Sequence, residues 1–257
     1  MSDYYRTHGA LTEPGRFAAA LAAPTNLGDL CAFIQGVVIH SDWAASYGVT
    51  ADLSRETLPV ARRMAMVEVA GGRDLPPDRR TPGTCRDFAL MTCSALRERG
   101  VLARVRCGFA TYFTANPFED HWVCEHWRED EGRWVLTDAQ LDALQRDHLR
   151  VAFDPTDLPV RTFLNAGEAW TVWRAGEADA AAFGHGEARG PWFLRVNLMR
   201  DLFALRKQET SAWDSWRSIP EDRKALDDRA LTVSDRIAAT TCQASHTSPS
   251  VEAPAFA

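Results

Sequence analysis

The chain has 257 residues, 46% hydrophobic and 25% charged, with 29 Lys plus Arg against 35 Asp plus Glu for a formal net charge of −6. Such a composition excludes a fibrous fold, and disorder over most of the chain, and the length suffices for a sizeable core. A pI near 5.7 argues against a dedicated nucleic-acid binder. Lys207 and Lys224 are the only amines; the other cations are Arg, a bias of GC-rich genomes that says little about function.

At the N-terminus Asp3 stands where a signal peptide would be basic, and the apolar run 17–23 is short and Ala-rich. No stretch reaches the ~18–20 apolar residues of a membrane span. The expectation is a cytoplasmic protein without a membrane partner, whose thiols stay reduced. Leu27, Leu30, Ile34, Val37 and Val38 recur at helical spacing behind Asn26 or Asp29 as caps. A second helix is predicted over 54–70, with Val60, Met64 and Val67 on one face. The prolines and glycine of 75–83 make a loop, and a third helix runs over 85–99 to Gly100.

The period then changes to two. Strands are predicted at 101–113, 120–127 and 133–138, the last two joined by the charged turn 129–132. Helices follow at 161–175, 192–207 and 221–239, and the small, polar stretch 240–257 reads as a disordered tail. The fold class is α+β: a buried helix packed on an antiparallel sheet, with N- and C-terminal helices. Residues 1–239 form a single domain with its core at about 54–155.

Six cysteines stand at 31, 85, 93, 107, 124 and 242, without a Cys-x-x-Cys pair or zinc-ligand spacing. No metal and no cofactor is implied. Cys85 differs from the rest because Thr84 is a natural N-cap. The first turn of a helix offers free N–H groups and the positive end of the dipole, which favour thiolate. His121 lies on a strand and Asp138 ends the next one, so nucleophile, base and orienting acid occur in a workable order. Each alone has a plain alternative: a packed cysteine, a hydrogen-bonded strand histidine, a turn aspartate. Cys124 and His126 form a rival pair two residues apart, without a helix start or a supporting acid. Cys31, Cys93 and Cys107 read as buried small residues, and Cys242 belongs to the tail.

These residues resemble the transglutaminase-like superfamily, whose papain-related fold is shared by many bacterial proteins. The resemblance rests on Gly83-Thr84-Cys85, on Leu96-Arg97 through Gly100, Ala103-Arg104 and Gly108, on His121 through Glu125, and on Trp134 through Asp138. It spans about residues 80–142. Two departures are Trp122 directly after His121 and Ala139 in place of a proline. The resemblance implies Cys85 as nucleophile, His121 as general base and Asp138 as its orienter. Cysteine-dependent acyl transfer follows, by amide cleavage or formation, from a peptide or small-molecule amide or thioester to water or an amine. Amide chemistry in specialised metabolism is one variant. The Cys85 N–H is one oxyanion donor; Gln35 is either a second or a surface residue. Arg86, Arg104 and Arg106 either hold an anionic group or form a solvated face, while Glu125 and Trp122 line the cleft or pack. The alternative is a non-catalytic binding or scaffold module. Oligomeric state is not legible in the sequence.

Overall fold

The computed structural model describes residues 3–52, 58–113, 116–213 and 226–247. After α1 (Ala18–Ala22), α2 (Leu27–Gln35) begins where the Asn26 side chain accepts the Asp29 N–H at 2.8 Å. It ends at Gly36, because the β-branched run behind it becomes β1 (Val38–His40) instead of a further helical turn. Helix α3 (Val60–Ala70) starts behind Pro59. Its predicted first residues fall partly at 53–57, outside the described residues. Strand β2 (Thr81–Gly83) pairs parallel with β1, setting Val38 opposite Thr81 and His40 opposite Gly83.

Helix α4 (Cys85–Glu98) is the spine of the molecule: every residue from Arg86 to Arg97 is buried. The Asp87 carboxylate accepts the Thr84 N–H at 2.8 Å and pairs with buried Arg63 at 2.8 Å, which anchors the helix start. Leu90, Met91, Cys93 and Ala95 pack with Leu30, Ile34 and Val38 in front and with Val105, Trp122 and Cys124 of the sheet behind.

The sheet is formed by β3 (Ala103–Ala110), β4 (Phe118–Arg128), β5 (Arg133–Thr137), β6 (Phe163–Asn165), β7 (Phe183–His185) and β8 (Ala188–Arg189). The order is β6-β3-β4-β7-β8, with β5 also on β4. Strand β3 covers one edge of β4 from Glu119 to His126. The other edge is shared: β7 takes Phe118 and Glu119, and β5 takes Cys124 to Arg128. Between them, residues 120–123 have no strand partner on that edge among the described residues. Gly108 is a glycine of necessity, since a Cβ there would lie 2.0 Å from the Leu164 carbonyl where β6 crosses.

Helix α5 (Ala143–Leu149) follows β5. The predicted helix 161–175 divides into β6 and α6 (Ala166–Arg174), because Asn165 caps the helix with a capping box and leaves Phe163 and Leu164 to pair with β3. With α7 (Pro191–Leu205) and α8 (Asp228–His246), α6 builds a second core of Phe109, Trp170, Phe183, Phe193, Leu194, Leu198 and Ile237. The tail assignment is corrected here: residues 240–246 continue α8, with Thr241 fully buried. A Cβ on Gly167 would meet the Thr241 hydroxyl at 2.2 Å, so α6 and α8 touch at backbone distance. Trp170 and Trp173 serve helix docking, the Trp170 indole donating to Asp235 of α8 at 2.7 Å. Among the described residues no helix is long and apolar enough to cross a membrane.

A charged network joins the sheet to this helical layer. Arg106, 0% exposed, meets both Asp201 oxygens at 2.9 and 2.8 Å and Glu125 at 2.9 Å. Arg104 holds Glu125 at 2.6 Å and stacks 3.8 Å from the Trp134 ring. Removing one partner strands a buried charge, so Asp201→Ala is expected to cost about 3–5 kcal/mol, read by denaturant melts. Burial opposes the Glu125 charge, but the two guanidiniums hold its carboxyl down at about 2 against an ordinary 4.5. Its stabilisation is therefore complete above pH 4.5 and fades as pH falls through about 2.

Candidate active site

Cys85 is the first residue of α4 and points into the gap in β4 between β7 and β5. There its sulfur takes a backbone hydrogen bond from Trp122 and a side-chain hydrogen bond with His121. His121 is 2% exposed, and its Nε2 lies 2.8 Å from Asp138 Oδ2. With Nε2 so engaged, Nδ1 is the ring nitrogen available to the thiol. Asp138 follows β5, is 1% exposed, and accepts the Gln140 N–H at 3.0 Å on its other oxygen. Its own N–H donates to the Pro155 carbonyl at 2.8 Å. Helix start, strand and strand end thus bring the three predicted residues into one row.

Tyr112, which sequence reasoning passed over, donates its hydroxyl to Asp138 at 2.7 Å, and Phe113 sets its ring 4.9 Å from the His121 ring. Both stand just past the end of β3. Their only sequence signal is the aromatic end of a predicted strand.

Burial works against a charge on His121. The Asp138 carboxylate, by charge and hydrogen bond, together with Cys85, outweighs it and pushes the ring up to about 10. Asp138 itself is held below its ordinary value: burial raises it, and His121 and Tyr112 more than reverse that. The Cys85 thiol is raised by burial, while His121 and the Trp122 N–H pull the other way. Burial is the largest influence on the thiol, and the His121 ring beside the sulfur is the first of those that favour thiolate.

The remaining cysteines lie elsewhere. Cys31, Cys93, Cys107 and Cys124 are 4% exposed or less, and burial pushes Cys31 up to about 12. Cys124 hydrogen-bonds with Cys93 in the core, which disposes of the Cys124–His126 pair. Cys242 sits on α8, raised to about 11 by burial.

Cys85 and His121 open on a cleft of about 750 Å³. Its lining includes the aromatic residues Trp43, Phe113, Trp192, Phe193 and Trp213 and the polar residues His40, Glu119, Asp120, Gln140, His185 and Arg200. Of the tryptophan pair 213 and 216, Trp213 stands in a turn on the cleft and Trp216 lies outside the described residues. Glu119 bonds His185 at 2.6 Å and raises it to about 9, so His185 is cationic at neutral pH.

The secondary site residues are placed differently from expectation. The Gln35 amide donates to the Ala139 carbonyl at 3.0 Å and braces the turn after Asp138, away from the lining of the cleft. Arg86 donates to the carbonyls of Glu209 and Thr210, anchoring the segment that brings Ala212 and Trp213 to the cleft wall. Arg104, Arg106 and Glu125 are consumed in the buried network, and Trp122, 1% exposed, packs against α4. None of these lines the cleft, because each finds its partner inside the core first.

Residues 74–139 match the model of the transglutaminase-like superfamily, so this stretch of the chain, from the turn before β2 to the residue after Asp138, is a transglutaminase-like core. Among solved structures, a protein of Cytophaga hutchinsonii named as a candidate cysteine protease is similar at 17% identity and a TM-score of 0.36. That similarity covers 63% of this chain and 44% of the other. Comparison with curated proteins returns no match.

Proposed function

We propose that this protein is a cysteine-dependent acyl-transfer enzyme in which Cys85 is the nucleophile, His121 the proton carrier and Asp138 its orienter. The observation that carries the reading is the unbroken row from the Cys85 sulfur through His121 to Asp138, with Nε2 and Oδ2 2.8 Å apart at the wall of the cleft. The Cys85 sulfur adds to the acyl carbon, and the carbonyl electron pair moves to oxygen. Collapse expels the leaving amine or thiol, which takes its proton from His121 Nδ1. Water or an amine then adds to the acyl-enzyme and gives its proton to His121, and collapse breaks the C–S bond to release product and the Cys85 thiolate. Nε2 stays bonded to Asp138 throughout, so the ring keeps its tautomer and orientation.

A cleft of about 750 Å³ lies in the range that encloses small molecules or single side chains. Its aromatic residues suit an apolar or aromatic acyl group. The donor class is a peptide or small-molecule amide or thioester.

The test is exposure of the chain to iodoacetamide, and separately to a p-nitrophenyl ester as a generic acyl donor, with adducts mapped by peptide mass. Cys85 is expected to react faster than the other five cysteines with both, and the ester to give a burst of p-nitrophenol. Uniform slow labelling of all six would favour a non-catalytic binding module instead.

A further inference from the structure

We infer that His40 is a further catalytic residue, whose Nε2–H donates a hydrogen bond to the carbonyl oxygen as it becomes an oxyanion. The inference rests on the acyl-transfer reading above and adds a donor that the sequence motifs do not include.

The argument begins at the backbone. Parallel pairing of β1 with β2 sets His40 opposite Gly83, two residues before the nucleophile, and His40 and Cys85 line the same cleft. His40 is 8% exposed, so little of it is open beyond the cleft wall. Its Nδ1 accepts the Asp42 N–H at 3.2 Å, which puts the ring proton on Nε2. Nε2 itself makes no hydrogen bond among the described residues. Burial holds the ring down at about 4, so at neutral pH it is a neutral imidazole that can donate a hydrogen bond without surrendering a proton.

Several other polar groups of the cleft are already engaged. The Gln140 amide nitrogen donates to Gln145 at 3.1 Å, His185 is paired with Glu119, and Arg200 is tied to Asp120 and to the Ala212 carbonyl. Gln35 lies outside the lining of the cleft, its amide donating to Ala139. His40 then complements the Cys85 backbone N–H, giving two donors for the oxygen that takes up charge when sulfur adds to carbon. No proton moves to the oxygen; the electron pair returns to the carbonyl when the leaving group departs with the His121 proton.

The experiment exploits a difference between two reactions of the same thiol. Acylation by a p-nitrophenyl ester passes through an oxyanion, whereas alkylation by iodoacetamide is a displacement at carbon that forms none. His40→Asn keeps an acceptor for the Asp42 N–H but cannot reach the cleft. It is expected to slow acylation by roughly 10²–10³ and to leave alkylation unchanged. His40→Gln, whose amide nitrogen extends to the Nε2 position, is expected to restore most of the acylation rate. His40→Phe fills the space with no donor and reads the same split if the Asn variant does not fold. Equal loss in both reactions, or no loss in either, overturns the role of His40 while leaving that of Cys85 intact. A wild-type chain that is alkylated at Cys85 but never acylated overturns the acyl-transfer reading itself, and His40 with it.

Discussion

Cys85→Ala is expected to eliminate the acyl-enzyme and to lower turnover by roughly 10⁶, because the proposed covalent route runs through the Cys85 sulfur. The fold should survive. Cys85 is only partly buried at the first turn of α4, and the helix start is held by Asp87 and Arg63, not by the thiol. A melting temperature close to wild type with no ester burst is the expected result. Unchanged turnover in the variant would show that the reaction runs through another group. Four of the other cysteines are closed off in the core, so residual labelling should map to Cys242, half-buried on α8.

The second large effect concerns Asp138→Asn. Asp138 accepts three hydrogen bonds, from His121, Tyr112 and the Gln140 N–H. Asparagine has one acceptor oxygen, so either rotamer turns its NH₂ towards a donor, and loss of the charge removes what keeps His121 protonated. Burial then opposes the ring's charge with only Cys85 left to support it, and the ring falls from about 10. At neutral pH the thiolate loses its counter-charge, and turnover should drop by up to about 10⁴. Iodoacetamide labelling of Cys85 against pH is the check. The wild type should keep its imidazolium-assisted reactivity until the ring deprotonates near 10, and the variant should lose it at a lower pH. The same pair contributes to stability with two edges. The His121 half is full below pH 6.5 and is lost as pH rises through about 10, a loss absent from the variant, while the Asp138 half is full above pH 3.8 and fades as pH falls.

Legibility in the sequence followed how local each cause is. The start of α4 is written in Thr84 and Asp87, which satisfy the first turn from three residues away, and the strands β3, β4 and β5 appear within a few residues of their period-two patterns. The Phe163–Leu164 pair was absorbed into a predicted helix because β6 exists only by pairing with β3. Helix α8 extends past 239 because Thr241 and Ala244 find cover on α6 and the sheet, which composition cannot register. The arginines were the most misleading. A charge on a strand reads as solvated until a distant partner is placed beside it, and the partner of Arg106 is Asp201, 95 residues away.

Taken alone, the sequence determined the α+β class and the transglutaminase-like stretch, and singled out Cys85, His121 and Asp138 as candidates, since capping chemistry, strand period and motif spacing act over a few residues. Tertiary structure alone decided what surrounds them. The gap that β5 and β7 leave on β4 admits the start of α4. Tyr112 and Gln140 complete the shell of Asp138, His40 reaches the cleft through its pairing with β2, and Arg104, Arg106 and Glu125 withdraw from it. Each of these depends on which backbone passes next to which, and that follows from packing the whole chain around α4 rather than from any local run of residues.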